Sequence, residues 1–174
     1  MVSSVVSSDK ECKNPILVVL HQNICSLRKK TTELKVLLYS ELKHVDVICL
    51  TEHWQSDKKL ICTNIVDFKL VSTFCRSSSE HGGSGFYVKD GLETKEISYF
   101  AGISEENIFE MSLTELPEYK LCTVFIYRSP DGHFDKFLNK LELAIQKLLM
   151  KDKILILCGE RNIDFFHEDS NQKD

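Results

Sequence analysis

The chain has 174 residues, 43% of them hydrophobic, which is one domain's worth of sequence with enough apolar material to bury a core. A formal net charge of −4 and a pI near 5.9 argue against a broad basic surface for nucleic acid, so any polyanion contact is local. Seven cysteines without a Cys-x-x-Cys pair or a Cys/His cluster at zinc spacing point to a reduced compartment rather than a disulfide framework.

In chain order, residues 1–14 are Ser-rich, carry no signal-peptide pattern, and read as a disordered lead-in. Pro15 to Asn23 reads as a buried strand. The basic cluster Arg28, Lys29, Lys30 follows; it is either a solvated loop or a local phosphate contact, and the same alternatives hold for Lys58 and Lys59. Leu34, Leu37, Leu38 and Leu42 fall at helical spacing, predicting an amphipathic helix from Thr32 to His44, and Asp46 to Leu50 predicts a second buried strand. Strand, helix and strand form a βαβ unit with parallel strands, which puts Asn23 and Glu52 at one sheet edge.

Strand-like runs then succeed one another at Phe68 to Phe74, Gly85 to Lys89, Glu93 to Tyr99, Ile108 to Leu113 and Tyr119 to Tyr127, which favours antiparallel pairing. Gly82 to Gly85 reads as a hairpin turn, because no Gly-Lys-Ser/Thr follows to make a phosphate loop. A second helix is predicted from the stripe Phe134, Phe137, Leu138, Leu141, Ile145, Leu148, and a last strand from Ile154 to Cys158. The polar stretch 167–174 reads as a tail, and no run reaches the roughly 18 apolar residues of a membrane span.

Four apolar runs end on compact polar signatures: His21-Gln22-Asn23, Thr51-Glu52-His53-Trp54, Tyr127-Arg128-Ser129-Pro130 and Gly159-Glu160-Arg161-Asn162. Strand ends of one α/β system converge on a crevice. Two carboxylates, two amides and a phenol suit a metal ion and a phosphate better than acyl transfer. Each residue also has a plain reading: Glu52 as a strand-end carboxylate reaching water, Tyr127 as a sheet aromatic, Asn23 and Asn162 as turn formers. His21, His53, His81 and His133 show no helical metal spacing and are read as structural.

The ordered set QN, LTEHW after a βαβ unit, GGSG opening a strand, YRSP and GERNID resembles the endonuclease/exonuclease/phosphatase superfamily over residues 15–166. Within it the set is most similar to the apurinic-like endonuclease domain of non-LTR (LINE-type) retrotransposons. The resemblance implies a four-layered α/β sandwich of two mixed, largely antiparallel sheets flanked by helices. It also implies Mg²⁺-dependent (or Mn²⁺-dependent) hydrolysis of phosphodiester bonds in DNA. Glu52 would be the metal ligand with Asn23 assisting, and Tyr127 and Asn162 would contact the phosphate. Glu160 would stand where the family has the Asp that activates water.

Three departures bear on activity: Glu160 is a methylene longer than Asp, Arg161 replaces an aromatic, and no Ser-Asp-His motif occurs in the chain. They imply a partial domain, incomplete at its C-terminus, whose cutting is impaired or lost. The alternatives are a non-catalytic binding remnant, a pseudogene product, or another phosphoesterase of the same superfamily. DNA is the implied partner, with no membrane and no small-molecule cofactor, and no pattern sets an oligomeric state. The implied location is intracellular: nuclear if the chain acts on DNA, otherwise cytoplasmic.

Overall fold

A computed structural model describes residues 16–79, 81–95, 97, 100, 102–149 and 153–163. The expected lead-in, 1–14, and tail, 167–174, lie outside the described residues. Seven strands form two sheets: β1 (Val19–Asn23), β2 (Val47–Thr51), β3 (Phe68–Phe74) and β4 (Ser84–Lys89) in the first, and β5 (Glu110–Leu116), β6 (Leu121–Tyr127) and β7 (Ile154–Glu160) in the second. The sheet orders are β1-β2-β4-β3 and β5-β6-β7. Pairs β1/β2 and β6/β7 are parallel and the other three antiparallel, so both sheets are mixed.

Period-two alternation builds the layers. Along β2, Ile48 and Leu50 pack with Leu34 and Leu38 of α1 (Leu27–Ser40), while Val47 and Cys49 face the other way. Along β6, Cys122, Val124 and Ile126 pack with Phe137, Ala144 and Leu148 of α3 (Phe134–Leu149), while Leu121 and Phe125 turn inward. The two inward sets meet, with Phe86 and Val88 of β4 and Leu116 of β5, in a third core between the sheets. The four layers are therefore helix, sheet, sheet, helix, as the resemblance implies.

Three predicted elements change. The first helix begins at Leu27, which is fully buried, and ends at Ser40, so the predicted Thr32–His44 span sits about one turn too late. Arg28, Lys29 and Lys30 therefore form its first turn instead of a loop, and Lys58 and Lys59 lie in a short helix α2 (Asp57–Ile61) that the sequence reading passed over. In the predicted strand Glu93–Tyr99, Lys95 makes a two-way backbone bridge with Glu115. Glu96, Ser98 and Tyr99 of that stretch lie outside the described residues.

Candidate functional site

The inward phase of six strands ends at one level. In the first sheet Asn23 pairs with Thr51, and Thr51 with Ser84; in the second Glu110 pairs with Tyr127, and Tyr127 with Glu160. Asn23 shares the inward phase of Val19, and Tyr127 and Glu160 that of Phe125 and Cys158, so all three side chains point into the gap between the sheets. Two terminal rungs thus face each other at the mouth of the inter-sheet core.

Two contacts across that mouth join the expected site residues. Asn23 Nδ2 donates to Glu160 Oε2 at 2.5 Å, and the Tyr127 hydroxyl donates to Glu52 Oε1. Strand alternation would send Glu52 toward α1 with Ile48 and Leu50. A left-handed backbone, φ 58°, breaks the alternation and brings its carboxylate to Tyr127 instead. Trp54 repeats this conformation at φ 56°, and its indole Nε1 donates to Glu52 Oε2 at 2.5 Å. Left-handed residues other than glycine cost on the order of 1–3 kcal/mol each and concentrate where function needs them.

The double-glycine turn holds this strained segment. The Glu52 amide donates to Gly83 O at 2.9 Å, the Trp54 amide to Gly82 O at 3.1 Å, and the Gly83 amide to Glu110 Oε2 at 2.7 Å. Gly83 has φ 86°, and a Cβ there would lie 2.4 Å from His53 Nε2, so only glycine fits. His53 is buried with Nε2 3.1 Å from Phe74 O and Nδ1 accepting from the Gln55 amide, a structural role.

Burial first, and then the Glu52 carboxylate, raise the Tyr127 phenol above its usual range, so it is a proton donor at neutral pH. Glu110 is fully buried and pairs with Arg76 Nε at 2.5 Å, and the Arg76 guanidinium lies 5.8 Å from the Tyr127 ring centre. The sequence reading missed this pair, which joins residues 34 apart in sequence. The signal available was the polar alternation Glu110, Ser112, Thr114 against Met111 and Leu113 on the opposite phase of the strand.

At the fourth strand end, Asn162 does not join the other four residues. Its Nδ2 donates to Arg128 O at 2.7 Å. Arg128 is itself buried and binds the carbonyls of Asn162 (2.8 Å), Arg161 (3.0 Å) and Gly132 (2.6 Å), tying the ends of β6 and β7 together. The Arg161 side chain is exposed. Just before it, Gly159 (φ 132°) passes so close to β6 that a Cβ would lie 1.8 Å from Ile126 O.

Beside Glu52 opens a groove of 790 Å³, walled by the first turn of α1 (Arg28, Lys29), by Trp54 and Lys59, and by the loop Arg76 to Ser79 with His81. Glu106 pins that loop, accepting from the Ser77 and Ser78 amides and hydroxyls, which hold its carboxyl down to about 2.

Three solved structures share this arrangement of strands and helices. An AP endonuclease from Archaeoglobus fulgidus matches at TM-score 0.59 and 15% identity, over 83% of this chain and 56% of its own. The 3′ phosphatase NExo of Neisseria, bound to a product DNA hairpin, matches at 0.57 and 14% over 83% and 57%. TDP2 of D. rerio, complexed with single strand DNA product, matches at 0.59 and 15% over 85% and 61%. The chain has the fold of the endonuclease/exonuclease/phosphatase superfamily. It spans under two thirds of the length of each of these three superfamily proteins. No family model matches the chain, and no curated protein matches it by sequence.

A divalent ion suits the residues present. Among the described residues no three His, Cys, Asp or Glu side chains cluster, so an ion would rest on one or two carboxylates. That is the usual protein share for Mg²⁺, whose other ligands are waters and substrate phosphate oxygens. The donors of Glu52, Glu160 and the Asn23 carbonyl are all hard oxygens. Each Glu52 oxygen accepts one hydrogen bond and keeps a lone pair for a metal.

Proposed function

We propose that this chain is a divalent-metal-dependent phosphodiesterase domain acting on DNA, of the type found in non-LTR retrotransposons. One observation carries the reading: Glu52, Tyr127, Asn23 and Glu160 meet at the facing strand ends of two sheets, beside a cationic groove. The retrotransposon assignment is supported by the order of LTEHW, YRSP and GERNID along the chain. DNA as the partner is supported by the DNA-bound NExo and TDP2 structures that share the fold. A nuclear location would follow from that partner.

In this mechanism Glu52, with Asn23, would hold Mg²⁺, and Mn²⁺ would meet the same donor chemistry. The bound ion would neutralise charge developing on the phosphate oxygens. Tyr127, kept protonated, would turn its single hydroxyl hydrogen from Glu52 Oε1, an oxygen then taken up by the ion, to a non-bridging oxygen that gains charge in the transition state. Glu160 accepts the proton of the attacking water as the P–O bond to the leaving oxygen breaks. Asn23 fixes Glu160 through Oε2, leaving Oε1 for the water.

A plasmid assay tests this. Supercoiled DNA with Mg²⁺ is nicked by the parent chain and not by Glu52→Ala or Glu160→Ala; a parent no faster than the double variant overturns the proposal. One observation favours a binding domain that does not cut: Asn162 Nδ2 is committed to Arg128 O, which removes an amide donor from the phosphate. On that reading the plasmid is bound and stays intact.

A further inference from the structure

Two features of the groove are unexplained by a metal-phosphate site. The first is charge placed against the helix field. The first turn of α1 contains Arg28, Lys29 and Lys30 and no acidic residue, although the positive end of a helix dipole disfavours cations by about 0.3–1 kcal/mol each. Arg28 and Lys29 are exposed and line the groove, facing a wall of serines. An anionic strand lying between them would be attracted by the cations and the dipole together.

The second is the chain's single tryptophan. Trp54 is partly exposed, lines the groove, and is fixed at its ring nitrogen by Glu52 and at its backbone by Gly82. Its ring lies 4.4 Å from that of His81, which lines the same groove, with 42° between the planes. The indole is thus immobilised directly on the carboxylate proposed to hold the metal. Bases inside a duplex are stacked on one another and offer only edges, whereas an unpaired base has a free face for an aromatic ring.

We infer that the groove binds a single-stranded polynucleotide, its phosphates along Arg28, Lys29 and Lys59 and an unpaired base stacked on Trp54. This rests on the phosphodiesterase reading only for which phosphate is cut. Three cations, Arg28, Lys29 and Lys59, on a chain of net charge −4 match a local single-strand track better than the broad face a duplex needs.

Because Trp54 is the only tryptophan, intrinsic fluorescence reports on it alone. The full chain, in EDTA to prevent cleavage, is titrated with single-stranded DNA and RNA of about 12 nucleotides and with the blunt duplex of the same sequence. Expected are saturable quenching by single strands and at least about tenfold weaker binding of the duplex. By anisotropy with a labelled strand, Trp54→Leu weakens single-strand binding by about 5- to 100-fold and Trp54→Phe by far less, both leaving duplex affinity unchanged. Lys29→Ala reduces the salt dependence of binding by about one counterion.

Equal affinity for duplex, binding without a fluorescence change, no binding, or equal behaviour of the Leu and Phe variants each overturns the inference. The DNA and RNA arms identify which strand is held. Single-strand binding by a chain that never nicks plasmid removes the phosphodiesterase reading and leaves this one standing. Nicking without a Trp54 response does the reverse.

Discussion

Tyr127 and Glu52 are joined by a hydrogen bond across the gap between the two sheets, from the end of β6 to the residue just past β2. The bond ties the Glu52 carboxylate to the Tyr127 phenol, helping to keep the phenol protonated and fixing the aim of both groups.

The proton on Tyr127 has a pH consequence. Its folded-state value lies above the ordinary tyrosine range, so the stabilisation is fully present below about pH 10 and is lost as pH rises through the folded value. An absorbance titration at alkaline pH is expected to show a late-ionising fraction that contains Tyr127 and the buried Tyr87, whose phenol burial also raises, together with unfolding. Tyr127→Phe makes that late-ionising fraction smaller by one tyrosine, leaving Tyr87, and lowers nicking by about 10- to 100-fold. An unchanged tyrosine titration in that variant would show the wrong residue was chosen.

Glu160 tests the cost of one methylene. A displacement of about 1 Å in a general base costs ~100-fold in rate, so Glu160→Asp is expected to raise plasmid nicking by about tenfold or more. A fall in rate would mean that the Asn23–Glu160 bond, which the shorter side chain gives up, matters more than reach.

Gly83 is the turn on which Glu52, His53 and Glu110 depend. Gly83→Ala adds left-handed strain and a clash with the His53 ring, and is expected to destabilise by about 2–4 kcal/mol. Thermal unfolding checks this, with a drop of roughly 5–15 °C for a chain of this size. A loss below about 1 kcal/mol would show that the turn relaxes freely.

Arg128 lies buried among carbonyls of the loops following β6 and β7. Arg128→Met leaves them unpaired and is expected to cost about 3 kcal/mol, measured by urea unfolding. Arg161→Ala, at an exposed position, is expected to stay within about 0.5 kcal/mol of the parent.

Metal dependence has its own check. Chelation is expected to abolish nicking, and added Mg²⁺ to restore it in the parent but not in Glu52→Gln. Restoration in both would move the ion away from Glu52.

Much of the fold was legible because its signals are local. Apolar runs of five to seven residues ending in polar clusters mark buried strands whether or not their partners are known. The stripe at Phe137, Leu141 and Leu148 marks α3 for the same reason. The start of α1 was misread because Leu27 is separated from Leu34 by cationic and threonine residues, and only burial against the sheet makes the turn from Leu27 to Lys30 helical. Glu110 and Arg76 were passed over because each is unremarkable on its own strand or loop.

By itself the sequence determined the strand ends, their polar residue types and the order in which they come, since alternation and burial are written in neighbouring residues. Only the tertiary structure decided that Asn23 meets Glu160, that Glu52 turns out of its strand phase to meet Tyr127, and that Asn162 is held by Arg128 instead. Those choices depend on backbone twist, on a left-handed φ at Glu52, and on the distance between two sheets. None of these is encoded in any one segment.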